Sequence, residues 1–94
     1  MIKAIIVEDQ KHCVRRLETL IEENAPNVDV VGVFDNVDDA VKGTEKLKPE
    51  LVFLDIEIQD KTGFEYLEAL KNPDFNLIFT TGHPRFAKKA FKYS

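Results

Sequence analysis

Short apolar runs alternate along this chain with stretches in which apolar residues recur at helical spacing. The runs lie at residues 2–7, 28–33, 51–54 and 77–80 and are rich in branched and aromatic residues. Runs of this kind are typical of buried strands in a sheet that is covered on both faces. The pattern therefore predicts four strands separated by helices.

The stretches between the runs carry helix signals. Asn36 is the predicted N-cap of the second helix, although Gly43 weakens that helix by about 1 kcal/mol relative to Ala. Thr62 and Glu65 have the spacing of a capping box, and Pro84 suits the first turn of a fourth helix. The predicted buried positions of the four helices are Cys13, Val14, Leu17, Leu20 and Ile21; Val37, Ala40, Val41 and Leu47; Phe64, Leu67 and Leu70; and Phe86, Ala87, Ala90 and Phe91.

Strands that alternate with helices, with no Asn-Gly or Asp-Gly hairpin signal, predict parallel pairing through right-handed crossovers. The predicted fold is a doubly wound α/β sheet. The 94 residues suffice for one small core, so we expect a single domain over residues 1–94.

Composition excludes several classes of protein. No apolar run approaches the roughly 20 residues of a membrane span, and no signal peptide is evident, so the prediction is a cytoplasmic protein without membrane contact. A net charge of −4 argues against direct binding of nucleic acid. Cys13 is the single cysteine and, with His12 and His83 far apart in sequence, makes no metal motif.

Acidic side chains follow two of the predicted strands. Glu8 and Asp9 follow the first, Asp55 follows the third, and Thr81 follows the fourth. The carboxyl ends of parallel strands form the ligand-binding edge of such sheets, so we expect these four residues to lie together. The alternative is that Asp55 merely ends a strand and that Glu8 and Asp9 favour a helix start.

Crowded carboxylates repel, and two unit charges about 4 Å apart cost about 4 kcal/mol at an effective dielectric of 20. Mg²⁺ offsets such repulsion, because it prefers oxygen ligands and commonly shares them with a phosphate. With charge neutralised in this way, Asp55 becomes a plausible nucleophile toward phosphorus. The pattern thus favours a phosphoryl site over strand-ending acids.

At these residues the chain resembles the receiver domain of bacterial response regulators. The resemblance lies in Glu8-Asp9, Leu54-Asp55, Gly63 and Thr81-Gly82, in this order and spacing. It implies a flavodoxin-like fold and a domain that takes a phosphoryl group from a histidine kinase. It also implies an output domain outside this chain. The sequences of residues 78–83 and 89–94 most resemble those of receivers attached to a LytTR-type DNA-binding domain.

The resemblance also implies roles for individual residues. Asp55 would be the phosphoacceptor, and Asp9 and Asp55 would be direct Mg²⁺ ligands with Glu8 acting through water. The main-chain carbonyl of Glu57 would be a further ligand, and Thr81 would be the switch hydroxyl.

Two departures from the family pattern stand out. Ile58-Gln59 replaces the common Met-Pro, a change expected to alter loop stiffness and not the chemistry. The 94 residues given end before the fifth strand and helix, which carry a phosphate-binding Lys. We expect a C-terminally incomplete receiver that either self-associates, through its fourth strand or by exchanging terminal elements, or is a weakly folded fragment.

Two other functions are compatible with the same residues. Asp55-Ile56-Glu57 resembles the Asp-x-Asp motif of haloacid-dehalogenase phosphatases, but Glu replaces the second Asp and two strands precede it. A degenerate receiver that acts only as a protein interaction module is the other alternative.

Overall fold

The computed structural model of the protein describes residues 1–80, in which strands at residues 28–34, 2–7, 51–54 and 76–79 lie side by side, in that order, in a parallel sheet. This order confirms the predicted doubly wound α/β fold. All four predicted strands are found, whereas the predicted fourth helix falls outside the described residues. The elements are β1 Ile2–Val7, α1 Lys11–Asn24, β2 Val28–Phe34, α2 Val37–Leu47, β3 Leu51–Leu54, β4 Glu57–Ile58, β5 Lys61–Thr62, α3 Gly63–Ala69 and β6 Asn76–Phe79.

The strands end level with one another at one edge of the sheet. Val7 is paired with Phe34 on one side and with Leu54 on the other. The first residues beyond the strands continue the ladder, since Glu8 N–H donates to the Phe34 carbonyl at 2.9 Å and Asp55 N–H donates to the Val7 carbonyl at 3.0 Å. The backbone thus holds Glu8 and Asp55 side by side.

Successive residues of β1 point to opposite faces of the sheet and enter two apolar clusters. Ile5 and Val7 lie on the side of α2 and α3, while Ala4 and Ile6 lie on the side of α1. The buried residues of the first side are Ile5, Val7, Val37, Ala40, Val52, Leu54, Ile58, Tyr66 and Leu70. Those of the second side are Ala4, Ile6, Ile21 and Phe53.

Helix α2 has a side-chain cap at its N-terminus and a left-handed residue at its C-terminus. The Asn36 side chain accepts a hydrogen bond from Asp39 N–H at 2.8 Å, which confirms the predicted N-cap. Lys48, with φ of 49°, ends the helix in the left-handed conformation. Gly43 lies against the ring of Phe34, where a Cβ would collide with the aromatic carbons. The glycine that weakens the helix is therefore what lets Phe34 pack on it.

Helix α3 has the predicted capping box. Glu65 N–H donates to Thr62 Oγ1 at 3.2 Å, and Thr62 N–H donates to Glu65 Oε2 at 2.7 Å. Tyr66, which was not among the predicted buried positions, is fully buried. Its hydroxyl lies 2.6 Å from Thr44 Oγ1 and so joins α3 to α2.

Two details correct the sequence-based picture. Leu20 is 49% exposed and does not belong to the buried stripe of α1. A short antiparallel hairpin also forms where none was predicted, with β4 and β5 joined by Gln59 and Asp60. Gln59 adopts a φ of 56°, so a residue other than glycine or asparagine supplies the left-handed turn position. Within residues 1–80 no helix has the length and apolar character needed to cross a membrane.

Candidate functional site

Three carboxylates meet at the carboxyl edge of the sheet. Each of Glu8, Asp9 and Asp55 offers an oxygen, and these oxygens all lie within 4.8 Å of one another. The level ends of β1 and β3 produce this arrangement, because Glu8 and Asp55 occupy equivalent places on neighbouring parallel strands. Among residues 1–80 this is the one group of three or more acidic, histidine or cysteine side chains with ligand atoms so close together.

Glu8 is the buried member of the cluster, with only 6% of its surface exposed. Burial raises the pKa of Glu8 to about 7, and the nearby charge of Asp55 adds to the rise. A hydrogen bond from Gln10 N–H to Glu8 Oε2, at 3.1 Å, acts in the opposite direction. The net effect favours the protonated form of this carboxyl group to a higher pH than for a free glutamate, and a cation at the cluster would favour the loss of its proton.

Backbone N–H groups hold the two aspartates. Ile56 N–H donates to Asp55 Oδ1 at 2.8 Å, and Gln59 N–H donates to Asp9 Oδ2 at 3.0 Å. Both aspartates are partly exposed, so a solvent-borne reactant can reach them. Glu8 and Asp9 also line an adjoining cleft of about 450 Å³, together with Lys11, Val14, Arg15, Val33, Phe34, Asp35 and Asp39.

Gly63 fixes the connection that leaves Asp55. Its N–H donates to the Ile56 carbonyl at 2.7 Å, which brings the start of α3 back against the end of β3. A Cβ at this position would collide with the carbonyl oxygen of Asp55 and crowd the Leu54 side chain. Only glycine allows this close backbone approach, which gives a physical reason for the spacing between Asp55 and Gly63.

Cys13 lies near the same carboxylates but is a poor nucleophile. Burial raises the pKa of the Cys13 thiol, and the charges of Glu8 and Asp55 raise it further. A raised pKa keeps the thiol protonated, and the thiolate is the reactive form. The carboxylate oxygens, and not the Cys13 sulfur, are therefore the candidate reactive atoms at this edge of the sheet.

Nearly the whole sequence matches a known protein family. Residues 4–93 match the family described as the response regulator receiver domain. The chain belongs to this family. Sequence and structure therefore agree on a receiver, and the resemblance inferred from Glu8-Asp9, Asp55 and Gly63 is confirmed.

Longer regulatory proteins are among the relatives of this receiver. The sensory transduction protein LytT of Bacillus anthracis is 36% identical over 95 residues, which cover 98% of this chain and 38% of the relative. The transcriptional regulatory protein BtsR of Escherichia coli K12 is 30% identical over 94 residues, with the same two shares. The chain thus spans less than half the length of these curated relatives.

Solved structures support the same fold. The response regulatory domain of protein mrkE from Klebsiella pneumoniae superposes with a TM-score of 0.84 at 29% identity, covering 96% of this chain and 75% of that one. A DNA-binding response regulator of the LuxR family from Staphylococcus aureus gives a TM-score of 0.74 at 30% identity, covering 98% and 79%.

The structure brings together three of the five predicted site residues of this receiver. Glu8, Asp9 and Asp55 lie together, as expected. Glu57 lies in β4 just beyond Asp55, and the proposed role of its main-chain carbonyl stays a prediction. Thr81 falls outside the described residues. Sequence reasoning missed the contact that Gln59 makes with Asp9, since a hydrogen bond from a backbone N–H leaves no mark on residue type.

The donor set of this receiver fits Mg²⁺. All side chains of the cluster present carboxylate oxygen, which a hard divalent cation prefers over nitrogen and sulfur. Burial is the main cause of the raised pKa of Glu8, and the nearby charge of Asp55 adds to it; a cation at the cluster would relieve that repulsion.

Proposed function

We propose that this receiver is the phosphoacceptor domain of a two-component system and takes a phosphoryl group from a histidine kinase onto Asp55. The observation that carries the proposal is the meeting of Glu8, Asp9 and Asp55 at the carboxyl edge of a sheet in a member of the receiver family. Members of the receiver family are signalling proteins, so the activity we propose is self-catalysed phosphotransfer and not turnover of a metabolite.

In this proposal Asp9 and Asp55 would hold Mg²⁺ directly, Glu8 would do so through water, and the main-chain carbonyl of Glu57 would be a further protein ligand. When bound, the cation neutralises negative charge on the phosphoryl oxygens. Asp55 supplies the nucleophile, with a carboxylate oxygen forming the new bond to phosphorus while the bond from phosphorus to the kinase's histidine breaks. Ile56 N–H, which donates to Asp55 Oδ1, keeps that carboxylate oriented.

The buried Glu8 shapes the site electrostatically. With a pKa of about 7 it adds less than a full negative charge before a cation arrives. When the cluster gains positive charge, Glu8 can release its proton and become a full anion.

The switch and the output complete the proposal. We assign the Thr81 hydroxyl as the group drawn toward the phosphoryl oxygen, and we place the output in a further domain of LytTR type that regulates transcription. The names of the relatives, a sensory transduction protein LytT and a transcriptional regulatory protein, support this assignment. The setting is the cytoplasm, where a histidine kinase would present its phosphoryl group.

Self-association stays a prediction. It is supported by β6, which is the outer strand of the sheet in residues 1–80, and by Ile78 on that strand, which is 46% exposed. An open strand edge with an exposed apolar residue favours pairing with another strand.

The experiment that tests the phosphoacceptor is intact mass spectrometry after incubation with acetyl phosphate and Mg²⁺. We expect one added phosphoryl group that is lost in mild base, as an acyl phosphate would be. Asp55→Asn should prevent the addition, because the amide is a poor nucleophile. Asp60→Asn is the matched control, since Asp60 is an exposed acid in the same connection and should leave labelling intact.

Equal labelling of wild type and Asp55→Asn would place the phosphoryl group elsewhere and contradict the proposal. Steady release of inorganic phosphate from a phosphomonoester, at a rate that Asp55→Asn abolishes, would instead support a phosphatase. Folded wild-type protein that takes up neither Mg²⁺ nor label would point to an interaction module.

A further inference from the structure

Gln59 joins three connections at the carboxyl edge of the sheet. Its backbone N–H donates to Asp9 Oδ2 at 3.0 Å, and its side-chain Nε2 donates to the Asp35 carbonyl at 2.9 Å. Asp9 follows β1 and Asp35 follows β2, while Gln59 itself lies between β3 and α3. One residue therefore ties together the loops that follow three strands of the sheet.

The backbone of Gln59 is held in an unfavourable conformation. Its φ is 56°, and among residues 1–80 the only other non-glycine residue with positive φ is Lys48, which ends α2. Such a conformation persists where surrounding contacts compensate for it. For Gln59 those contacts are the two hydrogen bonds, since the side chain is otherwise exposed.

Proline could not take the place of Gln59 in this arrangement. Proline has no N–H to donate to Asp9, and its ring fixes φ near −65°. The replacement of the common Met-Pro by Ile58-Gln59 therefore changes more than loop stiffness. It introduces a donor to a carboxylate of the candidate metal site and a second bond that holds this donor in place.

We propose that Gln59 is a positioning residue that holds the Asp9 carboxylate in the orientation suited to Mg²⁺. This assignment rests on the proposed function, which makes Asp9 a metal ligand. The N–H of Gln59 engages one oxygen of Asp9, and the bond from Nε2 to the Asp35 carbonyl keeps that N–H in place. A ligand held in its binding orientation before the metal arrives loses less conformational freedom on binding.

The test measures the Mg²⁺ dissociation constant of the folded protein by isothermal titration calorimetry with magnesium chloride alone. Gln59→Gly keeps the N–H and accepts positive φ but removes the side-chain bond. Gln59→Asn also accepts positive φ and keeps an amide, but it is one methylene too short to reach Asp35. We expect both variants to weaken Mg²⁺ binding by about two- to tenfold, the range that follows from loss of one hydrogen bond.

Lys48→Gly is the matched control, because it relieves positive φ at the end of α2 and touches none of the three carboxylates. It should leave the dissociation constant unchanged. Thermal melting without Mg²⁺ separates positioning from folding: Gln59→Gly should melt close to wild type, since relief of strain offsets the lost bond.

The outcomes are distinguishable. Wild-type binding with an unchanged constant in Gln59→Gly would overturn the role of Gln59 and leave the proposed metal site standing. Equal weakening in Lys48→Gly would also overturn it. Absence of Mg²⁺ binding by wild type would overturn the proposed function, and the positioning role with it.

Discussion

Strand β1 leads directly from the apolar core of the sheet to the acidic edge, where burial of a carboxyl group is energetically unfavourable. Ala4 to Val7 are fully buried among apolar groups, whereas the next residue, Glu8, is a carboxyl group with 6% of its surface exposed. Strand β3 repeats the change, with Leu54 fully buried and Asp55 at the acidic edge. The same two strands therefore supply both the stabilising core and the repelling carboxylates.

The difference teaches where stability and function divide in this fold. Apolar burial in the strand bodies gives roughly 1.5 to 3 kcal/mol for each large side chain. The acidic edge works in the opposite direction, because buried and crowded carboxylates raise the free energy of the folded state. The body of the sheet must hold the edge in place, so substitutions in the two regions should have separable effects.

The largest expected effect comes from the core. Ile5→Ala should lower the free energy of unfolding by about 2 to 5 kcal/mol, since it removes a fully buried side chain and leaves a cavity. Chemical denaturation measures this loss. The protein that remains folded should still bind Mg²⁺ with wild-type affinity.

Ile78→Ala is the matched control for the core substitution, because Ile78 is 46% exposed on the outer strand of the described sheet. It should lower the free energy of unfolding by clearly less than Ile5→Ala does. If both variants lost the same free energy of unfolding, burial in the core would not be what stabilises this sheet, and the contrast between core and edge would fail.

A smaller effect is expected where core and edge meet. Gly63→Ala places a Cβ against the Asp55 carbonyl oxygen and Leu54, and such overpacking typically costs about 1 to 3 kcal/mol. Because the crowded atom belongs to Asp55, Mg²⁺ binding should weaken as well, which calorimetry checks.

Gly32→Ala is the control for the glycine substitution. Its added Cβ would lie 3.0 Å from the ring of Phe34 and would touch no carboxylate. It should leave Mg²⁺ affinity unchanged, whatever the added methyl group does to the free energy of unfolding. If Gly63→Ala behaves in the same way, Gly63 serves packing alone.

A further expected effect is a dependence of stability on pH. The folded-state pKa of Glu8, about 7, lies above the ordinary value of 4.5, so between these values the folded state binds more protons than the unfolded state. The contribution of Glu8 to stability is therefore fully present below about pH 4.5 and is lost as pH rises through 7. Melting without Mg²⁺ should show a steeper fall from pH 5 to pH 8 in wild type than in Glu8→Gln. Parallel curves for the two proteins would contradict the assignment of this titration to Glu8.

Much of the fold follows from local signals in the sequence. The Asn36 cap and the Thr62 and Glu65 capping box are contacts between residues three apart, so residue type and spacing suffice to predict them. The strands follow from apolar runs, and their parallel order places Glu8, Asp9 and Asp55 together.

What the sequence did not predict depends on contacts between distant residues. Tyr66 can be fully buried because its hydroxyl finds a partner in Thr44, 22 positions away in the chain. The turn at Gln59 forms because Asp9 and Asp35 accept its hydrogen bonds, and neither acceptor is visible from the residues around it. The exposure of Leu20 likewise depends on which face of α1 meets the sheet. Helical spacing alone does not define that face narrowly enough to exclude Leu20 from it.

Thermal melting with increasing Mg²⁺ tests the central claim most directly, namely that the acidic edge is a metal site held by a stable core. Wild type should gain about 2.7 kcal/mol at one hundred times its dissociation constant, because the cation binds the folded state alone. Asp9→Ala should abolish this gain, while Asp29→Ala, which removes an exposed acid near the opposite end of the sheet, should retain it. A wild-type melting curve that Mg²⁺ does not shift, or an equal gain in Asp9→Ala, would contradict the account.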